Sequence, residues 1–150
     1  MLMFRELFQT DNTTGFMFLR LSLGIIMFFH GAQKLLGWFG GPGYEKTVEI
    51  FTINYGFPSV IAILVIVVEF FGSIGLIVGL LTRVAAMAIA IEIGICAYMN
   101  HLQNGFFMNW FGKQAGEGYE YHILVIGICF ALIVKGAGAL SFDRILSRKD

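Results

Sequence analysis

With 150 residues, 57% of them hydrophobic and 13% charged, and a mean hydropathy of +0.78, the chain is far more apolar than a soluble domain, where about a quarter of residues are charged. It reads as an integral membrane protein. Its formal net charge of zero comes from scattered basic residues rather than a cationic stripe, which excludes nucleic acid as a partner.

Crossing a bilayer takes about 20 residues at a rise of about 1.5 Å each. Four segments qualify, near 15–37, 58–81, 83–102 and 119–140. They predict an all-α fold, an integral membrane four-helix bundle occupying 1–150 as one domain. A secretory signal over residues 1–31 is disfavoured: Asp11 precedes the apolar run, the basic flank is thin, and no small-residue cleavage site precedes Lys34.

In the first segment Arg20, Gly24, Met27, Gly31 and Lys34 recur at spacings of four and three, so they share one helical face. That face is expected to point inward, because small residues let membrane helices approach closely and a charge at membrane depth seeks protein rather than lipid. His30 lies in the same segment. The second segment has a comparable stripe of Ala62, Glu69, Gly72, Ser73 and Leu76. In the third, Glu92 shares a face with Cys96 and Met99, and no partner is assigned to it. The fourth presents Glu120, Gly127, Ala131 and Gly138 on one side. Cys96 and Cys129 both sit in apolar segments without a CxxC or cysteine-cluster pattern, so packing is their expected role.

Basic residues bias the orientation through the positive-inside rule. Arg5, Arg83, Arg144, Arg148 and Lys149 fall on one side, Lys46 and Lys113 on the other, so both termini are expected in the cytoplasm. The connections Trp38–Phe57 and Gln103–Gly118 then face outward, with Trp38, Tyr44, Trp110, Tyr119 and Tyr121 near the interface.

Depth along the helices suggests which charges meet. Counted from the cytoplasmic ends, Arg20 lies about 8 Å deep, Glu92 about 14 Å, Glu69 about 18 Å, His30 about 22 Å and Lys34 about 28 Å, with Glu120 level with Lys34. The expected pairs are therefore Lys34 with Glu120, and Glu69 with His30 or Arg20. His101 and His122 flank the outer loop, but with Glu120 they follow no recognised metal spacing and His122 falls about 200° round the helix from Glu120, so no metal site is expected. The run Gly105–Gly118 follows no strand and lacks a Walker-type lysine, which points to an interfacial lid rather than a phosphate loop.

The stretch Arg20-Leu-Ser-Leu-Gly24 through His30-Gly31-Ala-Gln-Lys34-Leu, then Glu69-Phe-Phe-Gly72 through Gly79-Leu-Leu-Thr82-Arg83, resembles the DoxX family of small four-helix membrane proteins. So do His101-Leu-Gln-Asn104-Gly105-Phe106-Phe107, Gly118-Tyr119-Glu120-Tyr121 and Gly136-Ala-Gly138-Ala-Leu-Ser141-Phe-Asp143. The family's recurring polar residues correspond to Arg20, His30, Lys34, Glu69, Arg83, His101, Glu120, Ser141 and Asp143; Glu92 departs from the pattern, where an apolar residue, often methionine, is expected.

Members of that family are similar to the small subunit of a thiosulfate:quinone oxidoreductase, and others are linked to complexes that handle oxidative or thiol stress. The resemblance implies a bacterial inner-membrane protein that binds a quinone or similar lipid-soluble partner in its polar interior. His30 and Glu69 would handle protons, and Arg20, Lys34, His101 and Glu120 would hold the ligand. The chain has no haem or flavin signature and no iron–sulfur cysteine set, so electrons would come from a cofactor-bearing redox subunit. Two other readings stay open: a membrane scaffold or assembly factor without enzymatic activity, and a small transporter working as a homo-oligomer.

Overall fold

The computed structural model describes residues 7–147; Arg5, Arg148 and Lys149 lie outside the described residues. Helix α1 runs from Thr14 to Leu36 and stops where Gly37 takes a left-handed conformation, φ 70°, and returns its N–H to the Ala32 carbonyl. The first long connection is not a plain loop. It folds into α2, Gly43–Glu49, continued by Ile50–Asn54 in π geometry. The buried Thr47 hydroxyl, 2.7 Å from the Gly43 carbonyl of its own helix, also lies 3.2 Å from the Lys34 carbonyl at the end of α1.

Helix α3, Ser59–Val78, carries a π turn at Val68–Gly72 and ends at Gly79, φ 73°. A tight turn leads into α4, Thr82–Asn104, which loosens into π geometry at Ala97–His101. After the 105–118 loop come α5, Glu120–Lys135, and the short α6, Phe142–Ser147. α1, α3 and α4, of 23, 20 and 23 residues, are each long and apolar enough to cross a membrane.

The helices pack in the order α1–α3–α4–α5, with α5 also touching α1. Leu23, Met27, Leu76, Ala86, Ile89, Val125, Cys129 and Leu132 fill the centre. Exposed apolar side chains such as Phe18, Phe29, Leu64, Phe71, Ile91 and Leu124 cover the outside, the surface a bilayer requires. The predicted inward stripes of α1 and α3 hold for Arg20, Gly24, Met27, Gly31, Ala62, Glu69, Ser73 and Leu76, which are buried, while Lys34 and Gly72 are half-buried. Gly31 permits the closest approach, since a Cβ there would sit 2.5 Å from the Phe70 nitrogen and 2.7 Å from the Glu69 carbonyl carbon.

The fourth helix differs from the sequence reading in two ways. Its buried side is His122, Val125, Cys129 and Leu132, while Gly127 is exposed. The glycine–alanine spacing misled because Val125, Cys129 and Leu132, packed against Ala85, Ala86 and Ile89 of α4, supply the buried face of α5. It also ends at Lys135 rather than near 140, giving 16 residues, about 24 Å of helix. Gly136 and Gly138 take φ of 82° and 75°, and residues 136–139 form a buried arch that closes one end of the bundle.

Candidate functional site

The Lys34 ammonium donates to both carboxylate oxygens of Glu69, at 2.8 and 2.6 Å. The Glu69 side chain is 6% exposed and that of Lys34 25%. Such a bidentate contact offsets part of the cost of placing two charges at membrane depth. The expected Lys34–Glu120 pair does not form: the Glu120 carboxylate instead accepts from the Met108 N–H at 2.9 Å, in the outer loop.

Side-chain direction accounts for the difference. Every Cα–Cβ bond in a helix tilts toward its N-terminus. On α1 this carries Lys34 down from the loop end, and on the antiparallel α3 it carries Glu69 up to meet it. Glu120 opens α5 and tilts outward, away from both. Counting Cα depth alone omits these opposing displacements, and Gly31 adds to them by letting the two backbones touch beside the pair.

Glu92 of α4 lies within electrostatic reach of Glu69 and Lys34. Its Oε2 is buried without a partner. The Tyr121 hydroxyl, within electrostatic reach of Glu69, is likewise buried and unpartnered. Lys34, Glu69, Glu92 and Tyr121 thus bring α1, α3, α4 and α5 to one polar centre. Glu92 has a neighbour after all, legible in the sequence only as its similar depth to Glu69. His30 sits one turn below Lys34 on the exposed side of α1, within reach of both charges but without a hydrogen bond to Glu69.

Arg20 stands elsewhere. It does not meet Glu69; all five of its N–H donors go to backbone carbonyls, Leu76 and Ile77 at the end of α3, and Ala137, Ala139 and Leu140 of the arch. The last carbonyls of a helix lack intrahelical donors, so a buried guanidinium there is a brace. Asp143 works alongside it, accepting from the Leu81 and Thr82 N–H groups at 2.7 and 2.9 Å and so capping α4. Arg83 reaches the Gln9 and Ile133 carbonyls at the same end, and Ser141 donates within the arch to Gly138.

At the opposite end His101 accompanies His122, with ring centroids 4.2 Å apart, and Cys96 rather than Glu120 is their third neighbour. The 105–118 loop returns tightly over them. Gly118 is buried, and a Cβ there would lie 2.3 Å from the Phe107 carbonyl oxygen. A shallow cavity of about 360 Å³, lined by Val78, Leu140, Phe142 and Ile145 among others, opens at the arch end, away from the polar centre.

Comparison with known proteins agrees with this architecture. "Inner membrane protein YqjF" of Escherichia coli K12 is 27% identical over 135 residues, covering 90% of this chain and 94% of that protein. "Putative oxidoreductase CatD" of Bacillus subtilis 168 is 32% identical over 129 residues, covering 86% of this chain and 84% of that protein. No solved structure matches the chain significantly. The DoxX family pattern matches residues 15–102, the stretch that carries Arg20, His30, Lys34, Glu69 and Glu92, and the chain belongs to the DoxX family.

Proposed function

We propose that this chain is an inner-membrane accessory subunit that binds a quinone or a similarly lipid-soluble redox carrier at Lys34, Glu69 and Glu92, and serves a cofactor-bearing partner. The observation that carries the reading is the Lys34–Glu69 ion pair buried beside a second carboxyl group. Fixing helix register needs one cation and one anion; the additional carboxyl equips the centre to hold a proton. Glu92 Oε2 and the Tyr121 hydroxyl are buried polar atoms that a polar ring substituent would satisfy. A bound quinone would supply two-electron chemistry and oxygens that take up protons on reduction.

The chain's own groups have distinct parts in this reading. Lys34, a quarter exposed, presents positive charge to a ligand oxygen, and Glu69 balances that charge. Glu92 holds the proton. His30, exposed one turn away on α1, stands where a ligand diffusing in the bilayer would arrive. Arg20, His101 and Glu120 have no direct part, because they lie at other ends of the bundle or are committed to backbone groups. The similarity to a protein named as an oxidoreductase supports the redox assignment. The orientation with both termini cytoplasmic is supported by Arg83, Lys135 and Arg144 at the arch end, against Lys46 and Lys113 at the other.

Quinone binding and melting temperature measured together in detergent test the proposal. Glu69→Gln keeps the side-chain shape and one accepting oxygen for Lys34 while removing the titrating charge, and is expected to remain folded while losing at least about tenfold in affinity. His30→Asn is expected to weaken binding less. Unchanged binding in both folded variants would overturn the ligand site. It would favour a scaffold, a reading that Trp110 and Phe111, 81% and 85% exposed on the outer loop, also suit as contacts for a partner protein.

A further inference from the structure

We infer that Cys96, His101 and His122 form a binding site for one thiophilic divalent metal ion of the zinc type at the loop end of the bundle. One ligating atom from each residue lies within 4.8 Å of the other two. Around a tetrahedral ion with bonds of about 2.0 to 2.3 Å, neighbouring donors stand about 3.5 Å apart. The remaining distance to close, roughly 1 Å, falls to the three side chains.

The backbone of α4 explains why these residues meet. Cys96 and His101 are five apart, which in a regular α-helix separates them by about 140° around the axis. α4 changes to π geometry at Ala97–His101, and the i→i+5 hydrogen bonding of a π turn stacks residues five apart on one side. The first turn of α5 brings His122 across from the neighbouring helix.

Two further observations point to a ligand. His122 is only 5% exposed, and its buried Nδ1 has no hydrogen-bond partner. A buried ring nitrogen without a hydrogen-bond partner, on a residue grouped with a thiol and a second imidazole, is an atom that a coordinated ion would satisfy. His101 is also set up as a ligand: its Nδ1 lies 2.9 Å from the Glu117 carbonyl oxygen. Donation there fixes the tautomer and leaves the Nε2 lone pair free, the arrangement usual for a metal-bound imidazole. Behind the sulfur, Asn100 directs its side-chain N–H to the Cys96 Sγ at 4.0 Å and is itself held by the Tyr55 hydroxyl at 2.9 Å.

The donor set decides the chemistry. One thiolate and two imidazoles suit zinc and copper, whereas magnesium and calcium require oxygen donors. Three protein ligands would leave one coordination position for water or substrate, as in zinc sites of that type. This site shares no residue with the Lys34–Glu69 centre, so either can fail without the other.

The test uses the full chain in detergent, stripped with a chelator and titrated with Co²⁺ and then Zn²⁺. Co²⁺ should give a thiolate-to-metal charge-transfer band that saturates at one equivalent per chain and is displaced by Zn²⁺. Cys96→Ser should abolish the band, His122→Asn should weaken zinc binding at least about tenfold, and Cys129→Ser, at a buried cysteine outside the cluster, should leave both intact. Mg²⁺ should not compete. Zinc should also protect Cys96 of the wild-type protein from alkylation, read by mass spectrometry, which keeps the test decisive if Cys96→Ser fails to fold. Absence of the charge-transfer band in the wild-type protein, or Cys96 alkylation unchanged by zinc, would overturn the site.

Discussion

Lys34 of α1 grips both oxygens of Glu69 on α3, at 2.8 and 2.6 Å, where the two helices touch through Gly31. A cation and an anion in this setting stabilise each other chiefly by preventing either from being stranded in lipid. Lys34→Met is expected to cost about 2 kcal/mol, below the 3 to 5 usual for sealed pairs because a quarter of the lysine remains accessible. The double change Lys34→Met with Glu69→Met should recover most of that loss. Unfolding in mixed micelles, arranged as a double-mutant cycle, reads the coupling, expected at about 1 to 3 kcal/mol.

Gly31 and Gly127 make a matched pair of substitutions. At Gly31 an added Cβ would meet Phe70 backbone atoms at 2.5 and 2.6 Å, whereas at Gly127 nothing lies within 4 Å. Gly31→Ala should destabilise the protein by about 1 to 3 kcal/mol by forcing α1 from α3. Gly127→Ala should be neutral or stabilising by up to about 1 kcal/mol, since alanine is the better helix former. Equal effects at the two positions would contradict the packing.

Arg20→Lys tests the brace at the arch. Lysine offers three donors from a single atom in place of a planar fork of five, so at least two of the five carbonyls lose their partner. Each stranded acceptor costs about 1 to 3 kcal/mol. A loss of about 2 to 4 kcal/mol in detergent unfolding is expected. Asp143→Asn, which keeps one accepting oxygen for the α4 cap, should cost only about 1 kcal/mol.

The orientation is open to direct measurement. In intact cells, Lys46→Cys or Lys113→Cys should react with a membrane-impermeant thiol reagent, and Ser147→Cys should stay protected until the membrane is opened. Labelling at both ends, or at Ser147→Cys alone, would reverse or refute the proposed topology.

The four helices and the inward faces of α1 and α3 were legible because hydrophobic length and 3.6-residue periodicity report burial directly. The contacts at the centre were less so. Lys34 and Glu69 lie about 10 Å apart by Cα depth yet meet, because antiparallel helices tilt their side chains toward one another. Cys96 and His101 look unrelated at five-residue spacing, since no α-helical period unites them and a π turn carries no obvious sequence mark. On α5, Gly127 suggested a packing face that His122, Val125, Cys129 and Leu132 supply instead, and the helix stops early because Gly136 and Gly138 take conformations that only glycine adopts without strain.

The arch ties the beginning of the chain to its end. Gly138 donates to the Thr10 hydroxyl at 2.6 Å, Ala139 to the Thr13 carbonyl at 3.1 Å, and Asp11 to the Lys135 carbonyl at 3.3 Å. During synthesis Arg20 therefore enters the bilayer more than a hundred residues before three of its five acceptors exist. Until they emerge, the first helix carries a guanidinium with unmet donors, a state that favours snorkelling toward the headgroups over the final depth. The first span is thereby expected to reach its final depth only once residues 137–140 have left the ribosome, and a chain arrested before the arch would hold an unfinished, charge-bearing helix in the membrane.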